Sequence, residues 1–252
     1  MKISEYIRKE WVGMKDKPPK ERWQYFLDYY KWPAIITLLV LVFAVQTIVM
    51  VVNQKEAVIS SIILNCKLGI EDDTLLQEFY EYAGVDTDTQ EAVFYSDLTL
   101  SENHIQHNNT VFQRIMAGIT VGNTDFIAGK DVAFQLCAYH SSQMFMDLRK
   151  FLDEETLAEI SDKLYYVEQE ILDYLNSPPG TELDVDLSKY PDPHKPELMK
   201  NPIPVGINLS DCEVFQDAYF KEDSTIYIGI IANAPHPEIT RQFIDYLLAK
   251  MP

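Results

Sequence analysis

The strongest constraint on this chain is the run AIITLLVLVFAVQTIVMVV from Ala34 to Val52, nineteen residues without a charged side chain. Its polar interruptions are Thr37, Gln46 and Thr47. As an α-helix rising about 1.5 Å per residue it covers roughly 28 Å, close to the hydrocarbon core of a bilayer. Buried helices of soluble proteins rarely run this far without a charge. The sequence therefore predicts a membrane span over residues 33–53, with Trp32, Ala34, Leu39, Phe43 and Val52 among the anchoring residues.

The flanks predict its orientation. Lys2, Arg8, Lys9, Lys15, Lys17, Lys20, Arg22 and Lys31 precede the span, whereas only Lys55 and Lys67 fall in the twenty residues after it. Positive charge is retained on the cytoplasmic side, so the tail of residues 1–32 is expected inside and residues 54–252 outside. Trp23, Tyr25, Phe26, Tyr29, Tyr30 and Trp32 crowd the inner approach, where amphipathic rings suit the headgroup layer. A cleaved signal peptide would need a shorter apolar stretch nearer the start and small residues at its end. Val49, Met50, Val51, Val52 and Asn53 do not supply them. The expectation is a retained single-pass anchor in a cell membrane.

Charge separates the two parts. Eight basic and five acidic residues lie up to Val52, thirteen basic and thirty-four acidic beyond it. A strongly acidic outer domain repels nucleic acid and anionic headgroups, which argues against DNA or RNA as a partner. Cys66, Cys137 and Cys212 are too few for a disulfide framework, and each sits in or beside an apolar run, as small buried hydrophobes do.

Past the span, apolar β-branched runs alternate with helical periodicity. Strands are predicted at Ala57 to Cys66, Glu91 to Asp97, Thr124 to Gly129, Leu164 to Glu168, Val205 to Ser210 and Thr225 to Ala234. Helices are predicted after Asp73, around Phe112 to Ile119, over Val132 to His140, after the cap Asp153, around Val214 to Tyr219, and from Pro237 onward. Strands and helices alternating at this interval imply βαβ units and a mostly parallel sheet with flanking helices, an α/β domain over residues 54–252. Residues 176–204, rich in proline and aspartate, read as a long surface loop.

Chemical motifs are sparse. His104 and His107 share one side of a helical turn, but two ligands fall short of a zinc site, and exposed histidines are the better account. Asp184, Asp186 and Asp192 lack the turn glycine and closing glutamate of a calcium loop. No nucleophile elbow and no glycine-rich phosphate cradle occurs, so neither an enzyme nor a cofactor or metal is implied.

Two stretches carry a resemblance. Met116 to Leu157 is similar to the segment of type 2 extracellular (periplasmic) solute-binding proteins in which a helix leads through a short strand to a pocket loop. Tyr227 to Leu248 resembles their late strand and helix, with His236, Pro237, Glu238, Phe243, Ile244 and Leu247 matching. The architecture also resembles membrane-anchored proteins of Gram-positive bacteria. The resemblance implies a reduced periplasmic-binding-protein-like fold and a membrane-tethered module capturing a small molecule, or else an envelope scaffold or accessory subunit that has lost its pocket. On that analogy a ligand would lie beyond the carboxyl ends of parallel strands, against Asn65, Cys66, Ser96, Asp97, Gly129, Lys130 and Asp131. The lipid bilayer and either a small-molecule ligand or a membrane-protein partner are the expected contacts.

Overall fold

The computed structural model describes residues 18–29, 31–67, 74–102, 105–140, 143–177, 190–220 and 224–252. It forms two compact units, Met1–Gln54 and Lys55–Pro252. In the first, α1 (Pro19–Tyr29) precedes α2 (Lys31–Val52). By length and composition α2 is apolar enough to cross a membrane. Trp32, Ala34, Leu39 and Phe43 are all exposed on it. Thr47 returns its hydroxyl to the Phe43 carbonyl at 2.8 Å, which leaves no unsatisfied donor from that side chain on an apolar surface. Residues 1–17 of the expected cytoplasmic tail lie outside the described residues, as do Asp73, His104, Asp184 and Asp186.

The second unit is an α/β domain around one six-stranded sheet. Its elements are β1 (Glu56–Leu64), α3 (Thr74–Ala83), β2 (Gln90–Tyr95), α4 (Ile105–Thr120), β3 (Phe126–Lys130), α5 (Asp131–Ala138), α6 (Glu154–Glu159), β4 (Leu164–Glu168), α7 (Gln169–Asn176), β5 (Pro202–Asn208), α8 (Glu213–Tyr219), β6 (Ile226–Ile230) and α9 (Pro237–Ala249). The strand order is β2-β1-β3-β6-β5-β4.

The sheet corrects one expectation. It is mixed rather than mostly parallel: β1 pairs parallel with β2 and β3, whereas β3–β6, β6–β5 and β5–β4 are antiparallel. Alternation of strands and helices fixes neither which strands become neighbours nor their direction: the chain leaves β5, passes through α8 and re-enters the sheet at the end it left, so β6 runs back beside β5.

Both faces of the sheet are covered. On one, Leu75 and Phe79 of α3, Phe215 of α8 and Phe243, Ile244 and Leu247 of α9 pack on Ile59, Ile63, Phe126 and Ile228. The rings of Phe126 and Phe243 stack with centroids 5.2 Å apart, and Phe79 meets Phe243 edge-on at 4.9 Å. On the other face, Val111 and Ile115 of α4, Phe134 and Cys137 of α5 and Ile171 and Leu172 of α7 cover Ile62, Leu64, Ile127, Tyr165 and Val205. Gly206 and Gly229 admit the rings of Phe134 and Phe145, since an added Cβ would meet them at 2.5 Å and 2.7 Å.

The later part of the proline-rich excursion is docked. Tyr166 donates its backbone N–H to the Pro193 carbonyl at 2.9 Å, Tyr190 stacks on Tyr139 at 4.2 Å, and His194 bonds the Tyr227 hydroxyl at 2.8 Å. The chain around Lys200 and Asn201 is held by Glu168, whose carboxylate accepts both backbone N–H groups.

Candidate functional site

The three parallel strands bring the seven expected ligand residues to one end of the sheet, where most of their polar groups serve the fold. Asn65 adopts a left-handed conformation, φ 56°, which asparagine tolerates. Its side chain accepts from the Leu100 N–H at 2.7 Å and donates to the Leu100 carbonyl at 2.8 Å, clamping the chain after β2. The Cys66 thiol donates to the Ser96 carbonyl, and burial pushes that thiol up, away from the reactive thiolate. Asp97 pairs with Arg114 at 2.9 Å in an exposed salt bridge. Gly129 is buried in β3, where a Cβ would come within 3.0 Å of Leu64 Cβ.

Lys130 stands at the N-cap position of α5, and Asp131 is exposed, its backbone N–H donating to the Thr225 carbonyl at 3.2 Å. No ion pair joins Lys130 to Asp131 among the described residues. None of the seven lines the four cavities of about 530, 500, 400 and 140 Å³.

Two cavities, of about 530 and 500 Å³, open at the opposite end, where β1, β3 and β5 begin and β4 and β6 finish. There β1 overhangs its neighbour: Glu56 to Ser60 precede Ser61, the first residue paired with β3. Asp125 fills the step. Its N–H donates to the Ser60 carbonyl at 2.6 Å, and its Oδ2 accepts the Ser60 N–H at 2.8 Å. The same carboxylate takes the backbone N–H of His236 at 2.7 Å and the ring Nδ1–H at 3.0 Å. One acid thus ties β1, β3 and the turn before α9 together.

His236 is fixed from its other side as well. It precedes Pro237, the opening residue of α9, and its carbonyl accepts the N–H and hydroxyl of Thr240 at 3.0 and 2.7 Å. The Asp125 side chain has no exposed surface, while that of His236 is 35% exposed. An ionised carboxylate only accepts, so in a neutral ring Nδ1 carries the proton and Nε2 keeps its lone pair.

His236 forms part of a groove of about 530 Å³ between the end of α3 and the start of α9, floored by the first residues of β1. Glu56, Gln90, His236, Glu238 and Gln242 supply its polar lining; Ala57, Val58, Val85, Pro235 and Ile239 supply apolar walls. That size falls in the range of about 300–1,000 Å³ typical of small-molecule sites. A second cavity of about 500 Å³, lined by Gln143, Phe145, Met146, Lys150 and Gln169 among others, lies at the carboxyl ends of β4 and β6. Among the described residues, no three metal-ligating side chains converge in either.

Sequence reasoning places His236 in a packing motif and passes over Asp125. The available signal was local: an acid directly before an apolar strand, and a histidine directly before the proline that opens a helix. Neither shows that residues 111 positions apart meet. No protein-family model, no curated protein and no solved structure matches this chain.

Proposed function

We propose that this chain is a single-pass membrane protein with its N-terminus in the cytoplasm, and that residues 55–252 form an outer, one-lobed binding module of the solute-binding type. The groove beside His236 carries the reading. It is large enough for a metabolite, mixes apolar walls with a few convergent polar groups, and holds an imidazole whose orientation is fixed before any ligand arrives. Pre-organised groups lose less freedom on binding, which favours recognition. The charge asymmetry around α2 supports the orientation, and the resemblance of Tyr227 to Leu248 to solute-binding proteins supports the module.

A ligand that binds only the folded state stabilises it, by about 2.7 kcal/mol at one hundred times its Kd. The full chain in detergent micelles is therefore expected to melt higher with at least one member of a screen of metabolites, sugars and cations. His236→Ala is expected to erase the gain. A screen without effect on well-folded protein counts against the reading.

One observation favours a second reading, an envelope scaffold or accessory subunit. Asn65, Cys66 and Asp97, at the end of the sheet where the analogy puts the ligand, are committed to internal bonds. Crosslinking in native membranes would then recover a fixed partner, and recovery of the monomer alone would dismiss it.

A further inference from the structure

The charge pattern of the His236 groove identifies a class of ligand. We infer that it binds a small organic cation, an ammonium or guanidinium group on an apolar stem; this rests on the groove being the module's ligand site.

The groove is rich in acceptors. Its lining contains Glu56 and Glu238 and no lysine or arginine. Among the described residues, neither glutamate forms a salt bridge. Basic side chains next to the lining in sequence, or at the far end of α9, have other partners. Lys55 turns to the Thr87 carbonyl at 2.6 Å, Arg241 holds Asp153 and Asp245 at 2.8 Å each, and Lys250 holds Glu78 at 2.6 Å. Lys55 keeps its charge in its bond to a neutral carbonyl, but among the described residues no lysine or arginine lines the groove or pairs with its two carboxylates.

His236 adds to the same preference. A neutral ring with Nδ1–H donated to Asp125 would offer Nε2 as an acceptor, suited to a ligand N–H. The carboxylate of Asp125 lies directly behind the ring, shielded from water, where charge acts over distance with little screening. Gln90 and Gln242 contribute carboxamide oxygens.

The start of α9 presents the positive end of its helix to the groove, which by itself would favour an anion. Glu238 in the first turn opposes that field, and Glu56 from β1 adds a second carboxylate to the lining. A bare metal ion fits poorly, because no three ligating side chains converge among the described residues. The apolar walls at Val58, Val85 and Ile239 instead match a hydrocarbon stem next to the charge.

The test uses the full chain in detergent micelles, with cadaverine, glutarate and glucose as cationic, anionic and neutral probes at matched ionic strength. Cadaverine is expected to raise the melting temperature saturably and to bind with one-to-one stoichiometry by calorimetry. The double substitution Glu56→Gln and Glu238→Gln is expected to weaken it tenfold or more, whereas Glu155→Gln, an exposed acid on α6, leaves it unchanged. Equal loss in both variants would mean diffuse counterion binding and overturn the inference. So would silence from cadaverine. Glutarate or glucose binding that depends on His236 would overturn the cation assignment and leave the binding module standing. A probe that binds with no dependence on any groove residue would overturn the module reading as well.

Discussion

The Nδ1 of His236 lies 3.0 Å from Oδ2 of Asp125, a carboxylate without exposed surface that also accepts the backbone N–H groups of Ser60 and His236. This contact links the core to the groove. Removing the acid strands several donors in a dry site, at about 1–3 kcal/mol for each unsatisfied group. Asp125→Ala is expected to lower unfolding free energy by about 3 kcal/mol in denaturant titrations. An unchanged midpoint would contradict the role given to Asp125.

Gly229 lies beneath the Phe145 ring, which stacks on Phe134 with centroids 4.9 Å apart. A methyl group there meets Phe145 at 2.7 Å and must push the stack outward. Gly229→Ala is expected to cost about 1–3 kcal/mol through overpacking. Thermal melting checks it, and a stabilised variant would show that the stack yields freely.

Acid should weaken the domain. The Thr156 backbone N–H, and after it Arg241, holds the Asp153 carboxyl far below the usual carboxylate range; Lys250, with Tyr246, lowers that of Glu78. Both carboxyls have lower values folded than unfolded. Their contribution is therefore complete above the ordinary range and is lost as pH falls through the lowered folded values. Stability is expected to fall progressively below about pH 4. Asp153→Asn keeps an N-cap side chain and loses the charge, so its acid limb is expected to be shallower. Identical limbs would remove Asp153 from the account.

The span makes its own prediction. A lysine at the centre of an inserted helix costs about 3 kcal/mol on the translocon scale. Leu41→Lys is expected to lower the fraction of chain resisting alkaline carbonate extraction, and deletion of residues 34–52 to abolish that resistance. Full recovery of the intact wild-type chain in the soluble fraction would contradict the anchor.

Much of the fold was legible because local signals and tertiary structure agree. The β-branched runs became β1 and β6, Asp153 caps α6 through the Thr156 N–H, and the buried face of α4 carries Ile115 and Ile119 as its periodicity predicts. α7 went unread because QEILDYLN follows LYYVE without a break, although Ile171 and Leu172 share its buried face. Strand direction was not legible: the alternation of strands and helices looks alike whether a connection crosses the sheet, as between β1 and β2, or returns at the same end, as between β5 and β6.

The site followed from that error. A mostly parallel sheet concentrates its strand ends, and hence its expected ligand loops, at one edge. In the mixed sheet β4 and β6 finish at the opposite end, where β1, β3 and β5 begin, and cavities of about 530 and 500 Å³ open there. Asp125 and His236 meet only through this long-range pairing, which no local pattern encodes.

The central claim is an outer domain with an open groove, and cysteine labelling in the membrane tests it most directly. Gln242 is exposed on α9 and lines the groove, and Lys20 is exposed on α1. With Cys66, Cys137 and Cys212 replaced by serine or alanine in a variant shown to fold, Gln242→Cys and Lys20→Cys are treated separately in spheroplasts with a membrane-impermeant maleimide. The account predicts that the cysteine at position 242 is labelled in intact spheroplasts and the one at position 20 only after permeabilisation. Labelling at position 242 only after permeabilisation would contradict it.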